Sequence, residues 1–342
     1  MAYVSLNKLD IQTKETVIGA ANELLSASDK LFDKEPFFSN FDGNAQLATL
    51  PNQFHHANAI CLVRAAVIAY KGEKLQQYET ERSPEQADYH FYENQKTNSQ
   101  AFTALYPNDL IVSFRGTQTD DFRDQIGDML TNIQVSKDSF ENGKQTIAHY
   151  KVHSGFQKAL LSLWDDEGLG NYIVDCLQKH STIKVWFTGH SLGGALATIA
   201  SARLLNLGDG EHFYSNRIGG LYTIGQPRVG DANFAEALSK ELGENRITRM
   251  VNNNDIVTMI PFWKFSHIHG RRYISSNGEL KHKFTNSDIR NDRIKGILIF
   301  IFWYGIKYAL NRFIGLKIKS KSIIADHDKY GYLAAIRKSL NK

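Results

Sequence analysis

A mainly parallel α/β architecture is what this sequence predicts, and three observations carry it. From about position 59 onward, short apolar runs alternate with stretches of helical length, the pattern of a parallel sheet covered on both faces. One of these runs, Val185 to Phe187, leads into Gly189-His190-Ser191-Leu192-Gly193 and then an alanine-rich stretch, which reads as strand, sharp turn, helix. Another run ends at Asp255, ahead of an apolar stretch and Pro261, where the carboxyl edge of a parallel sheet places functional groups.

The strands expected on this basis cover 101–105, 109–115, 183–188, 220–224, 247–252 and 272–274. Helices are expected at 156–166, 170–180, 192–206, 231–242 and 328–340, with two earlier ones at 13–27 and within 45–70. Between those two, residues 33–51 hold Pro36, Gly43 and Pro51 and read as a connection. The chain divides into an N-terminal helical extension, 1–58, and a main domain, 59–342. Neither internal repeats nor low-complexity segments interrupt it.

Bulk properties narrow the function classes. A length of 342 residues with 42% hydrophobic content supports one large core. A formal charge of +4, with no basic stretch interleaved with aromatics, excludes a nucleic-acid module. Two cysteines in apolar helical surroundings, Cys61 and Cys176, read as buried thiols. The first thirty residues carry Lys8, Asp10, Lys14 and Glu15 and no apolar run of signal-peptide length. The expectation is therefore a cytoplasmic chain, with peripheral membrane association or non-classical export left open.

The turn around Ser191 has the chemistry of a nucleophile. Glycines on both sides let strand and helix approach closely, and the helix start aims its N–H groups where negative charge would develop. A serine needs a base, and the base needs an orienting carboxylate. Asp255 is the best-placed acid after Ser191, or else an Asx turn residue following three asparagines. The base is sought among His212, His267, His269, His282 and His327, the last lying just ahead of the final helix. His267 and His269 alternate along an expected strand, as a structural pair or two metal ligands lacking a third. The backbone N–H of Leu192 is one oxyanion donor. Thr117, after the strand ending near Phe114, is either a second donor or simply a strand end.

Six stretches, in order, resemble the class 3 lipases, the group typified by the small filamentous-fungal triacylglycerol lipases. They are Phe114-Arg-Gly-Thr117, Val152-His-Ser-Gly-Phe156, Thr188-Gly-His-Ser-Leu-Gly-Gly-Ala-Leu-Ala197, Tyr222-Thr-Ile-Gly-Gln-Pro-Arg-Val-Gly230, Asp255-Ile-Val, and Asp326-His327 with nearby tyrosines. The resemblance spans roughly 59–342. It implies an α/β-hydrolase fold, a lid over about 118–153, and a triad of Ser191, Asp255 and His327 with Thr117 and Leu192 as oxyanion donors. It further implies a serine carboxyl-ester hydrolase acting on lipid, as a triacylglycerol lipase or a phospholipase A, with no cofactor or metal. Against it stand a lipid-binding scaffold that has lost catalysis and an esterase of small soluble esters. No protein partner is legible.

Two departures from the family pattern matter. In the lid hinge Phe122 stands where a tryptophan is usual and Gln125 where an aspartate is usual, leaving Asp124 or Asp128 to support Thr117. The 72 positions between Asp255 and His327 imply an insertion at about 283–322. Within it, the uncharged run 296–306 is flanked by Arg290, Arg293, Lys295, Lys307, Arg312, Lys317, Lys319 and Lys321. Eleven residues fall short of the ~20 that a spanning helix needs. The segment 290–321 is thus expected either to be buried or to rest on a membrane surface.

Overall fold

The computed structural model of the chain describes residues 54–74, 87–117, 136–209, 214–253, 255–261, 264–275, 278–281 and 327–340. The expected helix at 13–27, the hinge positions Phe122, Asp124, Gln125 and Asp128, His212, His282 and the stretch 290–321 lie outside these residues.

In chain order the elements are α1 (His56–Ile68), β1 (Asp88–Asn94), β2 (Ser99–Leu105), β3 (Asp109–Phe114), β4 (Lys137–Glu141), β5 (Thr146–His153), α2 (Ser154–Leu161), α3 (Leu169–Lys179), β6 (Lys184–His190), α4 (Leu192–Leu204), β7 (Ile218–Ile224), α5 (Ala232–Leu242), β8 (Ile247–Asn252), β9 (Arg271–Ile274), β10 (Leu280–Lys281) and α6 (Lys329–Leu340). Eight strands form one sheet in the order β1-β2-β3-β6-β7-β8-β9-β10. The five from β3 to β9 run parallel, while β1, β2 and β10 close the edges antiparallel. This is the α/β-hydrolase architecture expected.

Alternation along the strands sorts residues onto two faces. Leu110, Val112, Phe114, Val185, Phe187 and Leu221 pack with α2, α3, α4 and α5 into one large core. The opposite face carries α1, which is tied down by side chains of the strands. Ser113 donates to the Ala65 carbonyl at 3.0 Å and Thr188 to the Leu62 carbonyl at 2.9 Å. Helix α1 straddles the expected boundary at 58/59 and packs directly on β6 and β7. Helix α4 is buried on every side from Gly193 to Leu204, which explains its run of alanine, glycine, serine and threonine.

Two differences from the sequence expectation have physical causes. Residues 137–153, expected within a lid, form the antiparallel hairpin β4–β5. It docks on the loop after β7 through His153 N–H to the Val229 carbonyl and Asp231 N–H to the Lys151 carbonyl. The stretch 267–269 is not a strand, for only Ser266 makes a bridge there, to Gly230. Among the described residues no helix is long and apolar enough to cross a membrane. Cys61 and Cys176 are buried and free.

Candidate active site

Strand β6 ends at His190, α4 begins at Leu192, and Ser191 makes the turn between them with φ of 57°. That left-handed conformation is costly for a serine, and the surroundings hold it there. Its N–H donates to the Ile224 carbonyl at the end of β7, 2.8 Å away. A Cβ on Gly193 would fall 2.1 Å from the Phe114 carbonyl oxygen, and one on Gly189 would fall 2.3 Å from the Gly193 backbone. Only bare backbone fits where the helix start meets the ends of β3 and β6. Leu192 N–H and the positive end of α4 therefore lie beside the turn that follows β3.

That turn is Arg115-Gly116-Thr117. Buried Arg115 fixes it, donating to the Asn98 carbonyl at 3.0 Å and to Asn98 Oδ1 at 2.8 Å, and also to Gln100. Arg115 N–H bonds the Gln100 carbonyl at 2.9 Å. Thr117 is half-buried, one residue beyond a glycine whose added Cβ would lie 2.5 Å from the His190 carbonyl. Thr117 thus follows directly on backbone that packs against the serine turn.

Asp255 and His327 meet from opposite directions. Asp255 follows β8 and is buried, its N–H bonded to the Asn252 carbonyl at 2.8 Å. His327, also buried, precedes α6, whose start is capped by Asp328 accepting from the Tyr330 and Gly331 N–H groups. His327 Nδ1 lies 2.8 and 2.9 Å from the two Asp255 oxygens. The carboxylate also accepts from Val257 N–H at 2.9 Å and from the Tyr332 hydroxyl at 2.6 Å. With Nδ1–H given to the carboxylate, the lone pair of a neutral ring sits on Nε2, the tautomer a general base requires.

Gly225 joins these two halves. It follows Ile224, the residue that holds the Ser191 N–H, and its φ is +59°. A Cβ there would come within 2.8 Å of His327 Cε1 and 2.9 Å of Asp255 Oδ2. The backbone behind the serine is the surface on which the Asp255–His327 pair rests.

The other candidate histidines are held elsewhere. His267 Nε2 donates to the Thr258 carbonyl at 2.6 Å, and exposed His269 pairs with Glu244 at 2.6 Å. Their partners differ, so they do not converge as a ligand pair. Among the described residues no cluster of three histidine, cysteine or acidic side chains is placed to hold a metal.

Three residues escaped the sequence reading. Arg115 and Tyr332 stand inside quoted motifs, where only the structure reveals their bonds. Tyr70, in the turn after α1, bonds His190 Nδ1 at 2.8 Å, and no spacing rule links positions 120 apart.

Comparison with known proteins shows what the chain is similar to. Residues 111–265 match the family model of the lipases of class 3. The chain is 32% identical over 189 residues to the secreted mono- and diacylglycerol lipase 1 of Fusarium solani, covering 53% of this chain and 48% of that protein. It is 33% identical over 182 residues to a lipase of Rhizomucor miehei, covering 53% and 46%. The chain spans about half the length of the curated relatives it matches. Among solved structures, the lipase of Rhizopus microsporus var. chinensis shares the fold with a TM-score of 0.53 at 21% identity, over 75% of this chain and 90% of that one. The cytoplasmic location expected from the first thirty residues is overturned by these relatives, since the Fusarium protein is named a secreted lipase. Residues 111–265 thus match the class 3 lipase family, and the chain shares the fold of a fungal lipase.

Proposed function

We propose that this protein is a serine hydrolase of lipid carboxyl esters, with Ser191 as nucleophile, His327 as base and Asp255 as the orienting acid. Ser191 Oγ attacks the acyl carbonyl as His327 Nε2 takes its proton. The oxyanion so formed is held by Leu192 N–H and by Thr117. Collapse of the adduct breaks the acyl–oxygen bond, and His327 returns the proton to the departing alcohol. Water, deprotonated by the same imidazole, then attacks the acyl-enzyme and releases the fatty acid.

The observation that carries this reading is the buried Asp255–His327 pair resting on Gly225, one residue from the carbonyl that holds Ser191 N–H. A scaffold without catalysis has no use for a strained serine beside such a pair. Acylglycerols are the favoured substrate class, and secretion the favoured destination, because a matched relative is named a secreted mono- and diacylglycerol lipase. A phospholipase A is the second reading.

Product analysis on mixed triacylglycerols, diacylglycerols and phospholipids decides between the two. Fatty acid released from acylglycerols and not from phospholipids is expected. Ser191→Ala should remove turnover by about 10⁶-fold and abolish labelling by a fluorophosphonate. A tenth of wild-type turnover in the variant, free of contaminating esterase, would place the nucleophile elsewhere.

A further inference from the structure

The geometry points to Tyr70 and His190 as a hydrogen-bonded strut that sets the oxyanion turn and the catalytic base at a fixed distance from each other. This rests on the hydrolase reading and adds two positioning residues to it.

His190 occupies the position before the nucleophile, buried under the elbow. Its Nε2 lies 2.8 Å from the backbone carbonyl of His327. A carbonyl only accepts, so Nε2 carries the proton. Burial, with the neighbouring His327 ring as a smaller cause, holds the His190 pKa well below the ordinary histidine value. Nδ1 of this neutral ring is therefore bare and accepts from the Tyr70 hydroxyl at 2.8 Å. Burial pushes the Tyr70 phenol up, so it keeps its proton and remains a donor. The same oxygen lies against Gly116, where an added Cβ would fall 2.2 Å from it.

One chain of contacts thus runs from Gly116 through the Tyr70–His190 hydrogen bond to the His327 carbonyl. Gly116 precedes Thr117 on one side of the reacting carbon, and His327 stands on the other. The two groups that must act together on one tetrahedral centre are joined by side chains that never touch it. A neutral His190 matters for a second reason. Its ring centroid is 4.6 Å from that of His327, and a charge there would oppose the imidazolium that forms when His327 takes the serine proton.

The test uses Tyr70→Phe, His190→Gln and the double variant. Glutamine keeps a donor near the His190 Nε2 position and gives up the ring that meets Tyr70. Three quantities are read: kcat and KM on a monomeric soluble ester, the inhibition constant of a trifluoromethyl ketone that forms an oxyanion adduct with serine, and the melting temperature. A strut predicts a roughly tenfold lower kcat for Tyr70→Phe with KM unchanged, and an equal loss in ketone affinity. It also predicts that the double variant loses no more than the worse single one. Wild-type kcat and ketone affinity in both single variants would overturn the strut, as would losses that multiply in the double variant. A fall in melting temperature with KM and kcat moving together would assign the pair to folding and overturn it too. Throughout, fluorophosphonate labelling of wild-type Ser191 separates the two ideas. An unlabelled, inert wild type sinks the hydrolase reading and the strut with it, whereas an active wild type matched by its variants sinks the strut alone.

Discussion

The two halves of the candidate site are built by different means. On the side of Ser191, backbone meets backbone: the start of α4 lies against the end of β3, and Ser191 N–H is held by the Ile224 carbonyl. On the side of Asp255 and His327, side chain meets side chain. An imidazole, a carboxylate and the Tyr332 hydroxyl join segments more than seventy positions apart. Backbone contact tolerates no added atom, whereas a hydrogen-bonded cluster tolerates changes of shape around it and depends on particular polar atoms. The first half therefore breaks by steric insertion, and the second by removing a donor or an acceptor.

A matched pair of glycine substitutions breaks the comparison most sharply. In Gly193→Ala the new Cβ would lie 2.1 Å from the Phe114 carbonyl oxygen and 3.0 Å from the Arg115 carbonyl carbon, both backbone atoms. The helix start and the turn leading to Thr117 must then move apart, which separates Ser191 from Thr117, its proposed oxyanion donor across that contact. A misplacement of about 1 Å costs on the order of 10²-fold, and a lost oxyanion donor 10²–10³-fold. The expected fall in kcat/KM is about 10³-fold, with about 1–3 kcal/mol of stability lost to overpacking. Gly331→Ala, in α6 on the other side, adds a Cβ that meets only Asn252 Nδ2 at 3.8 Å. It should leave turnover intact and raise stability by about 0.5–1 kcal/mol, the gain of alanine over glycine in a helix. Ester hydrolysis and denaturant melts of both variants check this, and equal tolerance at the two positions would erase the distinction between the halves.

The same distinction decides what could be read from the sequence. The elbow lies within one contiguous segment, so its strand, glycines and helix announce themselves in order. Strand β8 ends at Asn252, as expected from the run ahead of Asp255, because Ile247, Met250 and Val251 give this buried central strand apolar side chains on both faces. By contrast, β1 and the hairpin β4–β5 are mixed in polarity, with exposed residues alternating along them, and escaped notice. Their strand character comes from pairing and docking, which a single sequence does not display. Tyr70 is the clearest case. Its hydroxyl reaches His190 only because α1 crosses the sheet beneath β6, a placement that no local pattern encodes.

Tyr332→Phe probes the side-chain half by one oxygen. The hydroxyl donates to Asp255 Oδ2 at 2.6 Å and accepts from Asn252 N–H at 2.9 Å, so it pins α6 to the end of β8. Phenylalanine keeps the buried ring and removes both bonds. A hydrogen bond to a charged group is worth about 1.5–3 kcal/mol, and the variant should lose stability in that range. Because His327 stays bonded to Asp255 through Nδ1, the fall in kcat should be only about tenfold, with KM unchanged. A variant as inactive as Ser191→Ala would mean that the carboxylate has no support besides this hydroxyl.

The smallest effect expected lies where the backbone-held half leans on a titratable side chain. Helix α2 packs against α4, and its N-terminus is capped by the His153 imidazole, whose Nδ1 accepts from Gly155 N–H at 3.1 Å and Phe156 N–H at 3.3 Å. A protonated ring cannot accept those bonds. Burial, against a small opposing pull from Asp138, lowers its pKa from 6.5 to about 4. The unfolded chain binds this proton below about pH 6.5, while the folded chain resists it until about pH 4. Stability from this cap is therefore complete above pH 6.5 and drains away between pH 6.5 and 4. His153→Asn keeps a good capping oxygen without a titrating ring, and loses the stacking on Phe156 at 4.0 Å. Its melting temperature should be lower at pH 8 and should fall less steeply than that of the wild type as the pH drops from 6.5 to 4. Parallel curves across that window would show that protons enter the protein elsewhere and that the cap is indifferent to them.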